Sequence, residues 1–234
     1  MLSVTEAARR AGLSTRRVRS LISAGALSAT KVGAAYVLDE RDLDNFLRHE
    51  RSPHIRALSP RVAWAAAALL DGVQPTWLRA DERSRLRSRI ASAGASPGTW
   101  RAWTARLAQT RRTFKASPAQ VEAVLAASST VRSGRSASNL VTDPLVGVVS
   151  ATVWTRTLDD IDHLRRDLGL LSSSAGNVTI SVPPPFGLPA LGADGHNTFR
   201  LVVAHDLLTE TDPRAVYAGA ELLTAITNPQ GLSS

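Results

Sequence analysis

Three arginines stand within four positions, Arg16, Arg17 and Arg19, and short hydroxyls surround them at Ser14, Thr15, Ser20 and Ser23. A guanidinium fork can donate two parallel hydrogen bonds to the O6 and N7 of guanine, and short hydroxyls permit close approach to a base edge or a phosphate. On a helix advancing about 100° per residue, Arg16, Arg19, Ser20 and Ser23 share one side, with Val18, Leu21 and Ile22 on the other. Arg17 falls between them, placed for a flanking phosphate. A solvated helix face could carry the same residues, so the neighbouring elements must decide between the two readings.

Ser3-Val4-Thr5-Glu6 has capping-box spacing and predicts a helix to about residue 11, with Val4, Ala7, Ala8 and Ala11 inward. Gly12 suits the positive-φ stop, Leu13 anchors a turn, and Ser14 caps a second helix that runs to about residue 24, before Gly25. Two short helices joined by a turn of three or four residues containing glycine make a helix-turn-helix. Residues 28–32 and 35–38, around Gly33-Ala34, read as a two-stranded hairpin, or wing, whose cation is Lys31. Asp39 caps a third short helix with Leu43, Phe46 and Leu47 inward.

This arrangement resembles the excisionase and MerR-type winged helix-turn-helix domain. The matching residues are Ser3-Val4-Thr5-Glu6-Ala7-Ala8, Gly12-Leu13-Ser14, Val18, Leu21-Ile22, Gly25-Ala26-Leu27, Val32-Gly33 and Asp39-Glu40-Arg41-Asp42-Leu43. The resemblance implies contact with double-stranded DNA through Ser14, Thr15, Arg16, Arg17, Arg19, Ser20, Ser23 and Lys31. Ala34-Ala35 replace the basic wing tip common in that family, which shifts the expected interface toward the helix.

The formal charge of +8 agrees with a polyanionic partner, although an Arg-rich composition with two lysines is also what a GC-rich genome produces. The charge is uneven: residues 1–61 carry +5, residues 62–140 carry +8 and residues 141–234 carry −5. There is no cysteine, which removes disulfides and thiolate metal sites. No long apolar run and no leader-like N-terminus is present, so a cytoplasmic protein away from the membrane is expected.

Beyond a polar hinge near residues 48–54, Ser59-Pro60, Ser96-Pro97 and Ser117-Pro118 each pair a cap with Pro at the first helical position. They predict helices at about 60–71, 97–109 and 118–127, with another at 81–93. The first is almost wholly apolar and should be a buried core helix. The helix at 81–93 turns Leu86 and Ile90 inward and Arg83, Arg85, Arg87 and Arg89 outward, where they could grip further phosphates, form a solvated face or dock on acidic surface. Residues 145–149, 152–154, 177–182 and 199–203 are of strand type and length. A helix from residue 157, with Leu158, Ile161, Leu164 and Leu168 inward, and a last one from Asp212-Pro213 complete the reading. The expected fold class is α+β: a winged helix-turn-helix at 1–50, a basic, mainly helical middle at 51–140 and an acidic, mixed α/β domain at 141–234.

The runs Leu58-Ser59-Pro60-Arg61, Leu69-Leu70-Asp71-Gly72 and Glu82-Arg83-Ser84-Arg85-Leu86-Arg87 resemble type IV abortive-infection (AbiEi-like) antitoxins. So do Val131-Arg132-Ser133-Gly134-Arg135, Ala204-His205-Asp206-Leu207-Leu208, Asp212-Pro213-Arg214-Ala215 and Gly219-Ala220-Glu221-Leu222-Leu223. That likeness implies a repressor of its own operon, binding inverted repeats and countering a nucleotidyltransferase-like toxin. The alternative is an excisionase-like architectural protein or phage regulator with an unrelated partner-binding C-terminus. An RNA-binding reading of the 81–93 helix lacks the stacking aromatics that such surfaces use.

No nucleophile elbow, phosphate loop, zinc-protease motif or dinucleotide turn occurs. Asp159-Asp160-Ile161-Asp162-His163 offers few pairs on one helix face, and acidic residues suit a helix start. His205-Asp206 sits at the end of an expected strand, a frequent catalytic position and an equally ordinary cap. The expectation is a protein without catalytic residues, metal or cofactor, of undetermined oligomeric state.

Overall fold

The computed structural model describes residues 2–11, 13–23, 29–32, 35–40, 43, 56–141, 149–185 and 197–228, without the side chains of Arg17, Leu21, Ser23, Thr30, Lys31, Val32, Ala35 and Ser138. The chain divides into two compact units, Met1–Ile55 and Arg56–Ser234. Nine helices and two sheets among the described residues make the fold α+β.

In the first unit, β1 (Leu2–Ser3) leads directly into α1 (Val4–Ala11), and α2 (Thr15–Ser23) follows. Ser3 Oγ accepts the Glu6 N–H at 3.2 Å, which supplies the predicted cap of α1. At the other end Leu13 N–H donates to the Ala8 carbonyl at 3.0 Å, the six-to-one bond that closes a Schellman-type end. The wing forms as β2 (Thr30–Val32) against β3 (Ala35–Leu38), in register Thr30↔Val37, Lys31↔Tyr36 and Val32↔Ala35. A third strand joins it, because β1 pairs with β3 through Leu2↔Leu38 and Ser3↔Val37. The wing is therefore tied to the start of the first helix. Val4, Ala7, Ala8, Val18, Leu38 and Leu43 form one core cluster. Leu43 N–H donates to the Asp39 carbonyl, as the start of the third helix requires; the expected inward Phe46 and Leu47 lie outside the described residues.

The second unit holds a five-stranded sheet in the order β5-β6-β8-β4-β7. Its strands are β4 (Thr110–Lys115), β5 (Thr130–Arg132), β6 (Ala151–Thr155), β7 (Leu171–Ser172) and β8 (Val178–Val182). β6 and β8 run parallel and the other pairs antiparallel. One face carries Phe114, Ala151, Val153, Val178, Ile180 and Val182, which pack with Val121 and Val124 of α6 (Pro118–Ala126) and Ile161 and Leu164 of α7 (Leu158–Asp167). On the opposite face Trp154 meets Trp64 of α3 (Pro60–Leu70) edge-on at 5.4 Å between ring centres. Seven of the eleven residues of α3 are buried, as its apolar sequence predicts.

The Ser-Pro signals mark true helix starts at Pro60, Pro97 and Pro118, yet of the three serines only Ser117 caps a backbone N–H with its hydroxyl, accepting Gln120 N–H at 3.4 Å. Elsewhere the structure departs from the sequence reading. Residues 199–203 are not a strand but the start of α8 (Arg200–Leu208), every residue of which from Leu201 to Leu208 is buried. A wholly buried helix and a buried strand share the same unbroken apolar signature. Asp71 selects the helix by accepting Arg200 N–H at 2.9 Å. The helix expected at 97–109, α5 (Pro97–Thr104), is shorter, because the chain turns and Gln109 N–H joins the sheet at the Val182 carbonyl (2.8 Å). β4 then runs through the segment expected to be mainly helical.

Of the strand expected at 145–149, residues 145–148 lie outside the described residues, and Val149 is exposed and in no strand. Leu158, expected inward, is exposed. The expected division at residue 140 does not separate two bodies either: β4 and β5 precede it, β6, β7 and β8 follow it, and all five share one sheet.

Candidate nucleic-acid interface

α2 begins where Val18 N–H donates to the Ser14 carbonyl at 3.1 Å. Val18 is fully buried and Ile22 half-buried against the α1 residues of the core. That contact fixes the rotation of α2 about its axis. Ser14, Thr15, Arg16, Arg19 and Ser20 are exposed, with Arg16, Arg19 and Ser20 on the side the 3.6-residue period assigns them. The helix position of Arg17, Ser23 and the strand position of Lys31 are described, but their side chains lie outside the described residues.

The arginines of this unit divide into two kinds. Arg9 pairs with Glu6 at 3.0 Å, and Arg10 pairs with Glu40 at the start of the third helix. Arg16 and Arg19 have no hydrogen-bond or ion-pair partner among the described residues. Two guanidinium forks are thus presented to solvent on the exposed face of a short helix whose opposite face is locked into the core. The Arg10–Glu40 pair was not foreseen in the sequence. Residues thirty apart show no local period, and only the fold of the unit brings them together.

The four middle arginines are placed differently. They lie on α4 (Ala80–Ala93), which Arg61 ties to α3 by bonding both carboxylate oxygens of Glu82, at 2.8 and 3.0 Å. The Arg61 hydrogen bonds hold the Glu82 carboxyl down at about 2. Arg83 donates to the Leu78 carbonyl at 2.5 Å, and Arg85 to the Asp81 carboxylate at 2.5 Å. Arg87 donates to the Gln74 side chain at 3.1 Å, and Arg89 lies over the Trp103 ring, 5.1 Å from its centre. Each has a partner within its own unit, and Arg85, Arg87 and Arg89 remain exposed.

His205-Asp206 does not end a strand; it lies within α8 and is buried. Asp206 accepts from Ser133 Oγ at 2.6 Å, from Trp154 Nε1 at 2.9 Å and from Arg111. Thr104 Oγ donates to the Trp100 carbonyl at 2.6 Å, so its lone pair is left to accept from His205 Nδ1 at 2.7 Å. Burial lowers the pKa of His205. These groups satisfy one another beneath the surface and hold α8 to the sheet. The acidic run on α7 is engaged too: Asp160 accepts Thr157 N–H at 2.8 Å and Asp162 pairs with Arg112 at 2.7 Å. Among the described residues no three His, Asp or Glu side chains come together as metal ligands would, and no helix is long and apolar enough to cross a membrane.

The family profile described as a helix-turn-helix domain matches residues 1–51. The first unit is a DNA-binding helix-turn-helix domain, and α2 occupies the place of its second helix, the one that enters the major groove. No curated protein and no solved structure matches the chain.

Proposed function

We propose that the chain is a sequence-specific transcriptional repressor that serves as the antitoxin of a toxin–antitoxin operon. It binds inverted repeats in its own promoter and counters a nucleotidyltransferase-like toxin. The observation that carries the DNA-binding half is the exposed, unpartnered pair Arg16 and Arg19 on a helix rotated outward by Val18. The antitoxin half is supported by the resemblance of residues 58–87 and 204–223 to type IV abortive-infection antitoxins.

In this reading the chain works by binding, without catalysis or cofactor, in the cytoplasm where its operator lies. One helix-turn-helix reads few base pairs, so two copies on half-sites one helical turn apart, or a multiple of that, would supply the specificity. Arg87 and Arg89, exposed and without a carboxylate partner among the described residues, would add sequence-independent phosphate contacts; Arg83 and Arg85 serve the fold first.

The family match stops at residue 51, which keeps one other reading in view: an excisionase-like architectural protein whose second unit binds an unrelated partner. Titrating the full chain against its own upstream DNA, beside a scrambled duplex, tests the operator. Co-expression with the protein encoded next to it tests the antitoxin role. Specific retardation together with rescue of growth supports the proposal. Specific retardation without rescue favours the architectural reading, and equal binding to both duplexes overturns both.

A further inference from the structure

We infer that Arg16 and Arg19 read two guanines lying within three successive base pairs of the target, on either strand, and that the pair sets the sequence preference of the site. The inference rests on the DNA-binding reading above and adds what the helix recognises.

Four observations lead to it. Both side chains are exposed and have no partner among the described residues, whereas Arg9 and Arg10 on α1 are held by Glu6 and Glu40. Neither fork must therefore break a protein contact in order to bind DNA. Both lie in the first two turns of a nine-residue helix, the part that meets base edges when such a helix enters the major groove. Their rotation is fixed, because Val18 between them is fully buried. Finally, residues three apart on a helix are separated by about 4.5 Å along its axis, close to the rise of about 3.4 Å between successive base pairs.

Two arginines at that spacing can address adjacent or next-adjacent base pairs, but not distant ones. Guanine is the base whose O6 and N7 match the guanidinium fork with two acceptors. Thr15 and Ser20 flank the pair with short side chains, which leaves room for both forks to reach the groove floor. Phosphate contact is the weaker account of these residues, since it fixes the register of a helix on the duplex without selecting a base, and the first turns of such a helix face the base edges.

The test is selection of the full chain on a fully randomised duplex library, run in parallel with R16A and R19A variants whose folding is checked by circular dichroism. The wild type should enrich a motif with two guanines within three base pairs, and R16A and R19A should each relax one of them. Replacing either guanine by 7-deazaguanine, which lacks the N7 acceptor, should weaken wild-type binding about tenfold and leave the matching alanine variant nearly unaffected. An enriched motif that tolerates 7-deazaguanine, or alanine variants that keep the wild-type motif, would overturn the inference while DNA binding stands. Absence of binding to any duplex would overturn the DNA-binding reading as well.

Discussion

Asp206 and Trp154 meet across the interior of the second unit, with the indole N–H donating to the carboxylate at 2.9 Å while Ser133 holds the same oxygen at 2.6 Å. A carboxylate in a helix whose other residues are nearly all apolar would be costly if unpaired. Here three donors from three different segments converge on it, Ser133 from the loop after β5, Trp154 from β6 and Arg111 from β4. The cluster joins sequence on both sides of residue 140 and accounts for the cohesion of the unit better than its charge pattern does.

Removing that acceptor has a definite consequence. Asp206→Ala leaves the buried Ser133 hydroxyl and Trp154 N–H without a partner, at about 1–3 kcal/mol for each unmet group. The Arg111 side chain is about a third exposed and can turn to water, so its share is small. A loss of roughly 2–5 kcal/mol of unfolding free energy is expected, read as a lower urea midpoint. Asp206→Asn keeps one oxygen and should lose less. A change below about 1 kcal/mol for Ala would mean that the cluster does not hold the unit together.

His205 predicts how that stability varies with pH. Burial lowers its pKa in the folded state, below the ordinary value near 6.5, so the unfolded chain binds the proton more readily. The contribution is fully present above the unfolded value and is lost as pH falls from there toward the folded value. Stability measured by urea titration should therefore decline on acidification below about pH 6.5, and His205→Gln should flatten that limb. An unchanged slope in the variant would assign the decline to other groups.

Glu82 governs a second, more acidic window. Its carboxyl is held at about 2 chiefly by hydrogen bonds from Arg61, with a further one from the Arg79 N–H. A lowered carboxylate pKa gives stability that is present above the unfolded value near 4.5 and disappears as pH falls toward 2. Glu82→Gln should remove that dependence, and with it the charged link between α3 and α4. The check is a comparison of acid-unfolding curves for the two proteins below pH 5. Superimposable curves would show that the Arg61–Glu82 pair is not coupled to folding.

These groups also mark where the sequence was readable and where it was not. The first unit was legible because its signals are local: the Ser3 cap, the period that buries Val18, and a hairpin whose register follows from a two-residue loop. The same period puts Arg16, Arg19 and Ser20 on the exposed face. β1 leaves no signal, because two residues carry no period of their own. β4 is hidden because Arg111, Arg112 and Lys115 obscure an alternation that only Phe114 anchors in the core. α8 reads as a strand because total burial erases the period that would separate the two, and the cap that decides the matter, Asp71, lies 129 residues away.

The arginines on α4 allow the two kinds of DNA contact to be separated. If Arg87 and Arg89 meet phosphates, replacing both with alanine should weaken binding to every duplex alike and reduce the slope of log affinity against log salt by about one per lost contact. The preferred motif should not change. A variant with wild-type salt dependence would leave Arg89 only its contact with Trp103 and Arg87 only its bond to Gln74.

Gly219 sets two opposing effects against each other. It lies within α9 (Pro213–Thr227), where alanine normally improves on glycine by about 1 kcal/mol. Here a Cβ would come within 2.9 Å of the Leu207 Cβ, 3.0 Å of the Ala204 carbonyl oxygen and 3.0 Å of the Leu208 nitrogen. Two of those atoms are backbone of α8 and cannot swing aside, so α8 and α9 would have to separate. Overpacking of that kind costs about 1–3 kcal/mol, enough to outweigh the propensity gain. Gly219→Ala should therefore lower the melting temperature, and Gly219→Val should lower it further. A melting temperature raised by the alanine would mean that the two helices can move apart freely, and that the close approach at Gly219 is not needed to seat α8 against Trp154 and Ser133.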